Sequence, residues 1–126
     1  MPRISCFLLP ALLLACAGAS PAAAQEAGPP FDLADPARIE TGRLRFNQTC
    51  AGYCHGGGGV GGRAPNFLGR ADLDPARAFR VIQKGSKRGS DIMPRWEQAF
   101  SPDQIWELVA YLKFLGTQPV PPAAGQ

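Results

Sequence analysis

The sequence predicts an all-α domain of three to four short helices joined by irregular loops, and three observations support this class. An N-capping residue followed by proline recurs at Asp35-Pro36, Asp74-Pro75 and Ser101-Pro102, which is a strong helix-start pattern. Apolar residues repeat at helical spacing after the last of these starts. Glycine (15) and proline (13) are abundant in the 126 residues, so loops are extensive. The small hydrophobic core then needs additional stabilisation.

The N-terminal segment predicts export to the periplasm. Arg3 precedes an apolar run over residues 4–19, and Ala-Ala-Ala at 22–24 is a cleavage site of the A-x-A kind. Residues 1–24 are therefore interpreted as a signal peptide, too short and too interrupted by proline to span a membrane. Leu13-Leu14-Ala15-Cys16 also resembles a lipobox, so a lipid anchor on Cys16 is the alternative.

A linker over residues 25–34 precedes the predicted domain, which extends over residues 35–117 and is followed by a disordered tail at 118–126. In the first helix Ile39, Gly42, Phe46 and Cys50 follow at spacings of three, four and four, so they share one face. Glycine inside a helix lowers its stability. Gly42 therefore suggests a close crossing with another helix, and simple tolerance of the glycine is the alternative.

The first helix runs into Cys50-Ala51-Gly52-Tyr53-Cys54-His55. Two thiols can add to the two vinyl groups of haem, and the adjacent imidazole can bind its iron. The usual spacing is C-x-x-C-H, one residue shorter, so a bulged turn must absorb the extra residue. A zinc site would need more ligands than the chain offers beyond its first segment, and a disulfide would leave His55 unexplained. The motif predicts one covalent haem c.

Residues 56–62 are glycine except for Val60, and they include the pattern G-x-G-x-x-G. A dinucleotide site would need a strand before this pattern, and a phosphate loop would need a following Lys-Ser or Lys-Thr. The run instead predicts a flexible loop whose bare backbone can pass close to a haem edge.

The second helix is predicted to begin at Asp74-Pro75 and to end before Gly85, with Ala78, Val81 and Ile82 on its inner face. Residues 85–100 are predicted to be a loop. The last helix begins with a capping box at Ser101–Gln104 and ends at Gly116. Its apolar face consists of Ile105, Leu108, Val109, Leu112 and Leu115.

The predicted loop holds a candidate for the sixth iron ligand. His55 is the only histidine, and Met93 is the only methionine apart from the initiator. A lone methionine in a loop is otherwise exposed or fills a gap in the core. Beside a haem, its thioether is a good iron ligand, and Pro94 would stiffen the loop that holds it.

These residues together resemble the small bacterial class I cytochromes c, near the type related to the cytochrome subunit of cbb3 oxidases. The resemblance covers residues 35–116 and rests on Gly42-x-x-x-Phe46-x-x-x-Cys50, Cys54-His55-Gly56, Ala64-Pro65-Asn66-Phe67-Leu68-Gly69, Met93-Pro94, and Trp106 through Tyr111-Leu112. It implies a cytochrome c fold wrapped round one haem, with the first and last helices crossing. It also implies that the backbone carbonyl of Pro65 accepts the N–H of the proximal imidazole.

Two functions are consistent with such a site. The first is an electron carrier without enzymatic activity, with iron held by His55 and Met93, passing single electrons between a dehydrogenase or respiratory complex and its acceptor. The second is a peroxidase or gas sensor in which the Met93 bond is weak or absent and Arg95 or Trp96 assists a bound ligand. The carrier is favoured because the sequence offers no second histidine. It would be a monomer whose partner is a quinoprotein dehydrogenase or a terminal oxidase.

The charge pattern bears on the partner. The stretch from Val60 to Arg95 holds only three acidic residues against eight basic ones, namely Arg63, Arg70, Arg77, Arg80, Lys84, Lys87, Arg88 and Arg95. Such an excess can steer an acidic partner to the haem edge, and an ordinary solvated surface is the alternative. Export argues against nucleic acid as the partner.

Overall fold

The chain is described here by a computed structural model that covers residues 28–122. The predicted signal peptide, the alternative lipobox and the end of the tail lie outside these residues. The elements in chain order are α1 (Pro36–Thr49), a π-helical turn (Ala51–His55), a 3₁₀ turn (Gly57–Gly59), α2 (Pro75–Lys84), β1 (Ser86–Arg88), β2 (Asp91–Met93) and α3 (Pro102–Gly116).

All three predicted helix starts are confirmed. The Asp35 carboxylate accepts a hydrogen bond from the Ala37 N–H at 2.9 Å, and Asp74 caps α2 in the same way. At α3 the Ser101 hydroxyl accepts from the Gln104 N–H, and the Gln104 side chain accepts from the Ser101 N–H. Each cap satisfies donors that the first helical turn leaves free.

Helix α3 is the centre of the fold. Its predicted apolar face is buried throughout, and residues 105–112 together with Leu115 and Gly116 are shielded from solvent. Helix α1 crosses it at Gly42, where an added Cβ would overlap the Glu107 carbonyl oxygen and lie 2.7 Å from the Glu107 carbonyl carbon. The close crossing predicted at Gly42 is confirmed, because only a residue without a side chain fits there.

The inner face of α2 differs from the prediction. Phe79 and Ile82 are its buried residues, and the Phe79 ring stacks on Trp106 of α3 with centroids 4.5 Å apart. Ala78 is only partly buried against the core, and Val81 is half-buried. The packing face of α2 is therefore centred on Phe79 and Ile82, so that of the three predicted residues only Ile82 is confirmed as fully buried.

A β-hairpin replaces part of the predicted loop at residues 85–100. Strands β1 and β2 are antiparallel, with Ser86 opposite Met93, Lys87 opposite Ile92 and Arg88 opposite Asp91. Each strand has three residues, and most of them are polar and exposed. Such short polar strands carry almost no periodic signal, so sequence patterning does not reveal them.

No helix within residues 28–122 is long and apolar enough to cross a bilayer.

Candidate haem site

The Cys-Cys-His stretch forms a widened turn directly after α1. The Cys50 N–H still donates to the Phe46 carbonyl at 2.7 Å, as in an α-helix. The next hydrogen bonds reach one residue further back, from the His55 N–H to the Cys50 carbonyl at 3.2 Å and from the Gly56 N–H to the Ala51 carbonyl at 3.0 Å. A turn of this kind holds one residue more than an α-helical turn. The extra residue between the two cysteines is therefore taken up within this one turn.

Both cysteines of this turn are free thiols and both are partly buried. Cys50 packs against the hydrophobic core. Burial, assisted by the nearby Cys54, raises the pKa of the Cys50 thiol to about 11.

His55 presents a neutral imidazole. Its Nδ1 is buried and forms no hydrogen bond with any residue in 28–122. Burial lowers the pKa of His55, and the backbone carbonyl of Pro65 opposes that shift without reversing it. Pro65 thus lies beside the imidazole. A neutral ring is the form of histidine that can bind a metal through nitrogen.

Two phenylalanines fix the orientation of the imidazole. The Phe67 ring stacks on His55 with centroids 4.8 Å apart and an interplanar angle of 29°. Phe46 contacts His55 at 6.0 Å and Tyr111 at 5.3 Å, so a line of rings connects α3 to the imidazole. The sequence alone does not predict such a role for Phe67. Its position two residues after Pro65 was the available signal, but stacking between rings twelve residues apart cannot be read from spacing.

The glycine-rich segment is held against the Cys-His turn by backbone hydrogen bonds, whereas the sequence predicted a flexible loop. The Gly61 N–H donates to the His55 carbonyl at 2.8 Å, and the Ala64 N–H donates to the Cys54 carbonyl at 3.0 Å. Gly59 is buried with φ of +75°, and an added Cβ would lie 2.5 Å from Leu115 Cδ1. Glycine is needed here because the backbone turns through a left-handed conformation while touching α3.

Met93 lies at the end of β2, on a different part of the fold. Its side chain is partly buried and packs against the same hydrophobic core that Cys50 and Phe67 contact. The structure therefore brings Cys50, Cys54, His55 and Pro65 together in one place. Met93 approaches the shared core from the hairpin.

The zinc alternative requires three or more donor side chains in one place. No group of three or more His, Cys, Asp or Glu side chains within residues 28–122 is arranged to hold a metal ion.

A helical domain with a Cys-Cys-His turn after its first helix, and with that helix crossing the last one, is a c-type cytochrome domain. Residues 37–112 match the family described as cytochrome c oxidase, cbb3-type, subunit III, and the chain belongs to that family. The cytochrome c fold predicted from the sequence is confirmed. The cofactor of this class is covalently bound haem c, and its role is electron transfer.

Two solved structures are similar to the chain. Cytochrome CL from the marine methylotrophic bacterium Methylophaga aminisulfidivorans MPT is 24% identical, with a TM-score of 0.53 over 65% of this chain and 55% of that one. Dihydro-haem d1 dehydrogenase NirN in complex with DHE is 32% identical, with a TM-score of 0.50 over 68% of this chain and 17% of that one. The chain thus spans 55% of the first structure and 17% of the second. No curated protein matches the sequence.

The residues of the turn fit a covalent haem. Two free thiols lie one widened turn apart, and the neighbouring imidazole is neutral, buried and without a hydrogen-bond partner at Nδ1 among residues 28–122. The two thiols would hold haem by addition to its vinyl groups, and the imidazole would bind its iron through Nε2.

Proposed function

We propose that the protein is an exported monohaem electron carrier with haem c on Cys50 and Cys54 and with His55 and Met93 as the iron ligands. The observation that carries the proposal is the π-helical turn Ala51–His55 with Cys50 as its N-cap, because this short segment contains both thiols and the imidazole. Bound haem supplies one-electron iron chemistry, and a His/Met ligand pair keeps its reduction potential high.

The other residues of the site have positioning roles in this proposal. The Pro65 carbonyl, which lies beside the imidazole, would become the acceptor for His55 Nδ1–H when the iron is bound, and that bond would orient the ring and make it a stronger ligand. Phe67 covers one face of the imidazole. Together these contacts hold the ring in one orientation, so that little rearrangement accompanies a change of redox state.

Met93 is held by the hairpin. Its backbone pairs with Ser86, and an added Cβ on Gly85 would lie 2.5 Å from the Met93 carbonyl oxygen. Pro94 follows and restricts the chain further. A thioether is a weak ligand for iron, so a rigid backbone on both sides of Met93 favours a bond that persists.

The ligand-binding alternative has less support. It needs a polar group from Arg95 or Trp96 beside the iron. The Arg95 side chain is exposed, and the Trp96 ring stacks on Phe100 with centroids 5.4 Å apart. The Trp96 ring is therefore engaged with Phe100 and the Arg95 side chain is open to solvent, which favours the carrier.

The partner and the location are part of the proposal. A quinoprotein dehydrogenase or a terminal oxidase in the periplasm would suit a carrier of this type, and the similarity to cytochrome CL supports the fold that such a role needs. Cleavage after Ala24 would start the mature chain at Gln25, ahead of a domain over residues 35–117 and a tail at 118–126. N-terminal sequencing of the exported protein tests this, and a lipid-modified Cys16 would contradict it.

The Met93→Ala variant of the holoprotein tests the ligand assignment. The wild type should be low-spin in both redox states and should bind carbon monoxide slowly or not at all. Met93→Ala should become high-spin, with a lower potential and rapid binding of carbon monoxide, whereas Met93→His should stay low-spin with a lower potential. A wild type that binds carbon monoxide at once, with Met93→Ala unchanged, would contradict the carrier and favour the ligand-binding alternative.

A further inference from the structure

We propose that the outer face of the β1–β2 hairpin docks a redox partner whose surface is acidic around an apolar centre. The inference rests on the proposed function and locates the contact at one element. The docking surface is defined as Ile92 with the three cations around it, Lys84, Lys87 and Arg95.

The strand register decides which residues face outward. Residues directly opposite in an antiparallel pair lie on the same face, and successive residues alternate. Met93 and Ser86 form one opposite pair, and Ile92 and Lys87 form the next. Since Met93 packs against the core, Ile92 and Lys87 point to solvent, and Ile92 is 65% exposed.

A shallow concavity of about 420 Å³ lies at this face. All four residues of the docking surface line it, together with Gly85, Ser86, Met93 and Pro94. The lining holds three cations and no carboxylate. Lys84 pairs with Glu97, while Lys87 and Arg95 form no ion pair within residues 28–122, so two positive charges remain uncompensated.

This combination matches the anatomy of a transient protein interface. Such interfaces have an apolar centre within a polar rim, and rim charges steer association and raise its rate. The concavity brings both features together, because Ile92 and the three cations line it. It also includes Met93, so a partner seated there would be close to the proposed sixth ligand.

The structure reduces the basic stretch predicted from the sequence to a smaller candidate docking surface. Eight basic residues lie between Val60 and Arg95, but only three of them line the concavity beside Ile92. Arg77 is an exposed residue of α2 and lies outside the concavity. Leu44 is an exposed apolar residue of α1. These two positions provide matched controls for charge and for apolar contact.

The experiment uses ¹⁵N-labelled holoprotein titrated with an acidic flavodoxin as the probe. Backbone amides of residues 84–93 and of Arg95 should shift. Lys87→Glu and Ile92→Ser should each weaken binding about fivefold or more, whereas Arg77→Glu and Leu44→Ser should change it less than twofold. Binding should also weaken as the salt concentration rises from about 10 to about 200 mM.

Three outcomes would overturn the proposal. Shifts confined to other surfaces, such as the exposed Tyr53, would place docking elsewhere. Equal weakening by Lys87→Glu and Arg77→Glu would reduce the effect to net charge. Binding to phosphatidylglycerol vesicles that depends on Lys87, without binding to flavodoxin, would make the surface a lipid contact. A normal haem spectrum in these cases leaves the carrier proposal intact, whereas absence of covalent haem overturns both.

Discussion

The His55 N–H donates to the Cys50 carbonyl, five residues back, at 3.2 Å. One hydrogen bond of π-helical type therefore spans both cysteines and the histidine. The residue that makes the spacing unusual is accommodated within this single widened turn. Helix α1 before it keeps its normal pattern up to Cys50.

Deletion of Tyr53 tests whether the widened turn preserves the geometry of haem attachment. Tyr53 is 93% exposed, so its removal deletes no packing and leaves C-x-x-C-H. We expect the deletion variant, Tyr53→Ala and the wild type all to carry haem through two thioethers. Protein mass and the haemochrome band, which shifts when one vinyl group remains, report the number of bonds. Two thioethers only in the deletion variant would show that the longer spacing prevents attachment at Cys50.

Replacement of Phe67 tests the support of the imidazole. Phe67 stacks on His55 and lies edge-on to Phe46. Phe67→Ala should lower the free energy of unfolding of the holoprotein by about 2–4 kcal/mol, because ring contacts are lost and a cavity forms. Urea denaturation measures the change. Phe114→Ala, which truncates a 40% exposed ring on α3, should cost less than half as much, and equal losses would argue against a specific role for Phe67.

Gly42→Ala distinguishes a helix crossing from a tolerated glycine by the sign of its effect. Helix propensity alone would stabilise the protein by about 1 kcal/mol. The added Cβ meets the backbone of Glu107, and overpacking of this kind costs about 1–3 kcal/mol or more. We therefore expect net destabilisation in thermal or urea unfolding. Gly57→Ala is the control because an added Cβ there meets nothing within 4 Å, and it should change stability by less than 0.5 kcal/mol.

Glu107 joins α1 to α3 electrostatically. Its carboxylate is 9% exposed and accepts hydrogen bonds from Arg38 at 2.9 Å and from Arg45 at 3.0 Å. Glu107→Gln would leave two guanidinium groups without their counter-charge and should destabilise the protein by about 2–4 kcal/mol. Arg38 is 41% exposed, so Arg38→Ala should cost at most about 1 kcal/mol. Unfolding curves of the two variants test this order, and a larger loss for Arg38→Ala would contradict it.

The helices and the residues proposed to bind haem could be predicted because their signals are local. A capping aspartate or serine followed by proline acts within one turn, and the apolar spacing of α3 determines which face is buried. The cysteines and histidine are adjacent in sequence, so their proximity needs no knowledge of the fold. The assignment of Met93 and Pro65 as partners of the haem stays a prediction, supported by the packing of Met93 against the core and by the Pro65 backbone beside the imidazole.

Other features were decided by tertiary contacts. The packing face of α2 depends on the stacking of Phe79 against Trp106. The position of the glycine-rich segment depends on hydrogen bonds from the N–H groups of Gly61 and Ala64 to the Cys-His turn. The hairpin at Met93 has strands too short for a periodic signal. The sequence by itself determined where helices begin and which residues are candidates to bind haem, because caps, spacings and adjacent ligand residues are properties of short segments. Only the tertiary structure decided the hairpin, the support of His55 by Phe67 and the surface at Ile92, because each depends on groups separated along the chain and brought together by burial around α3.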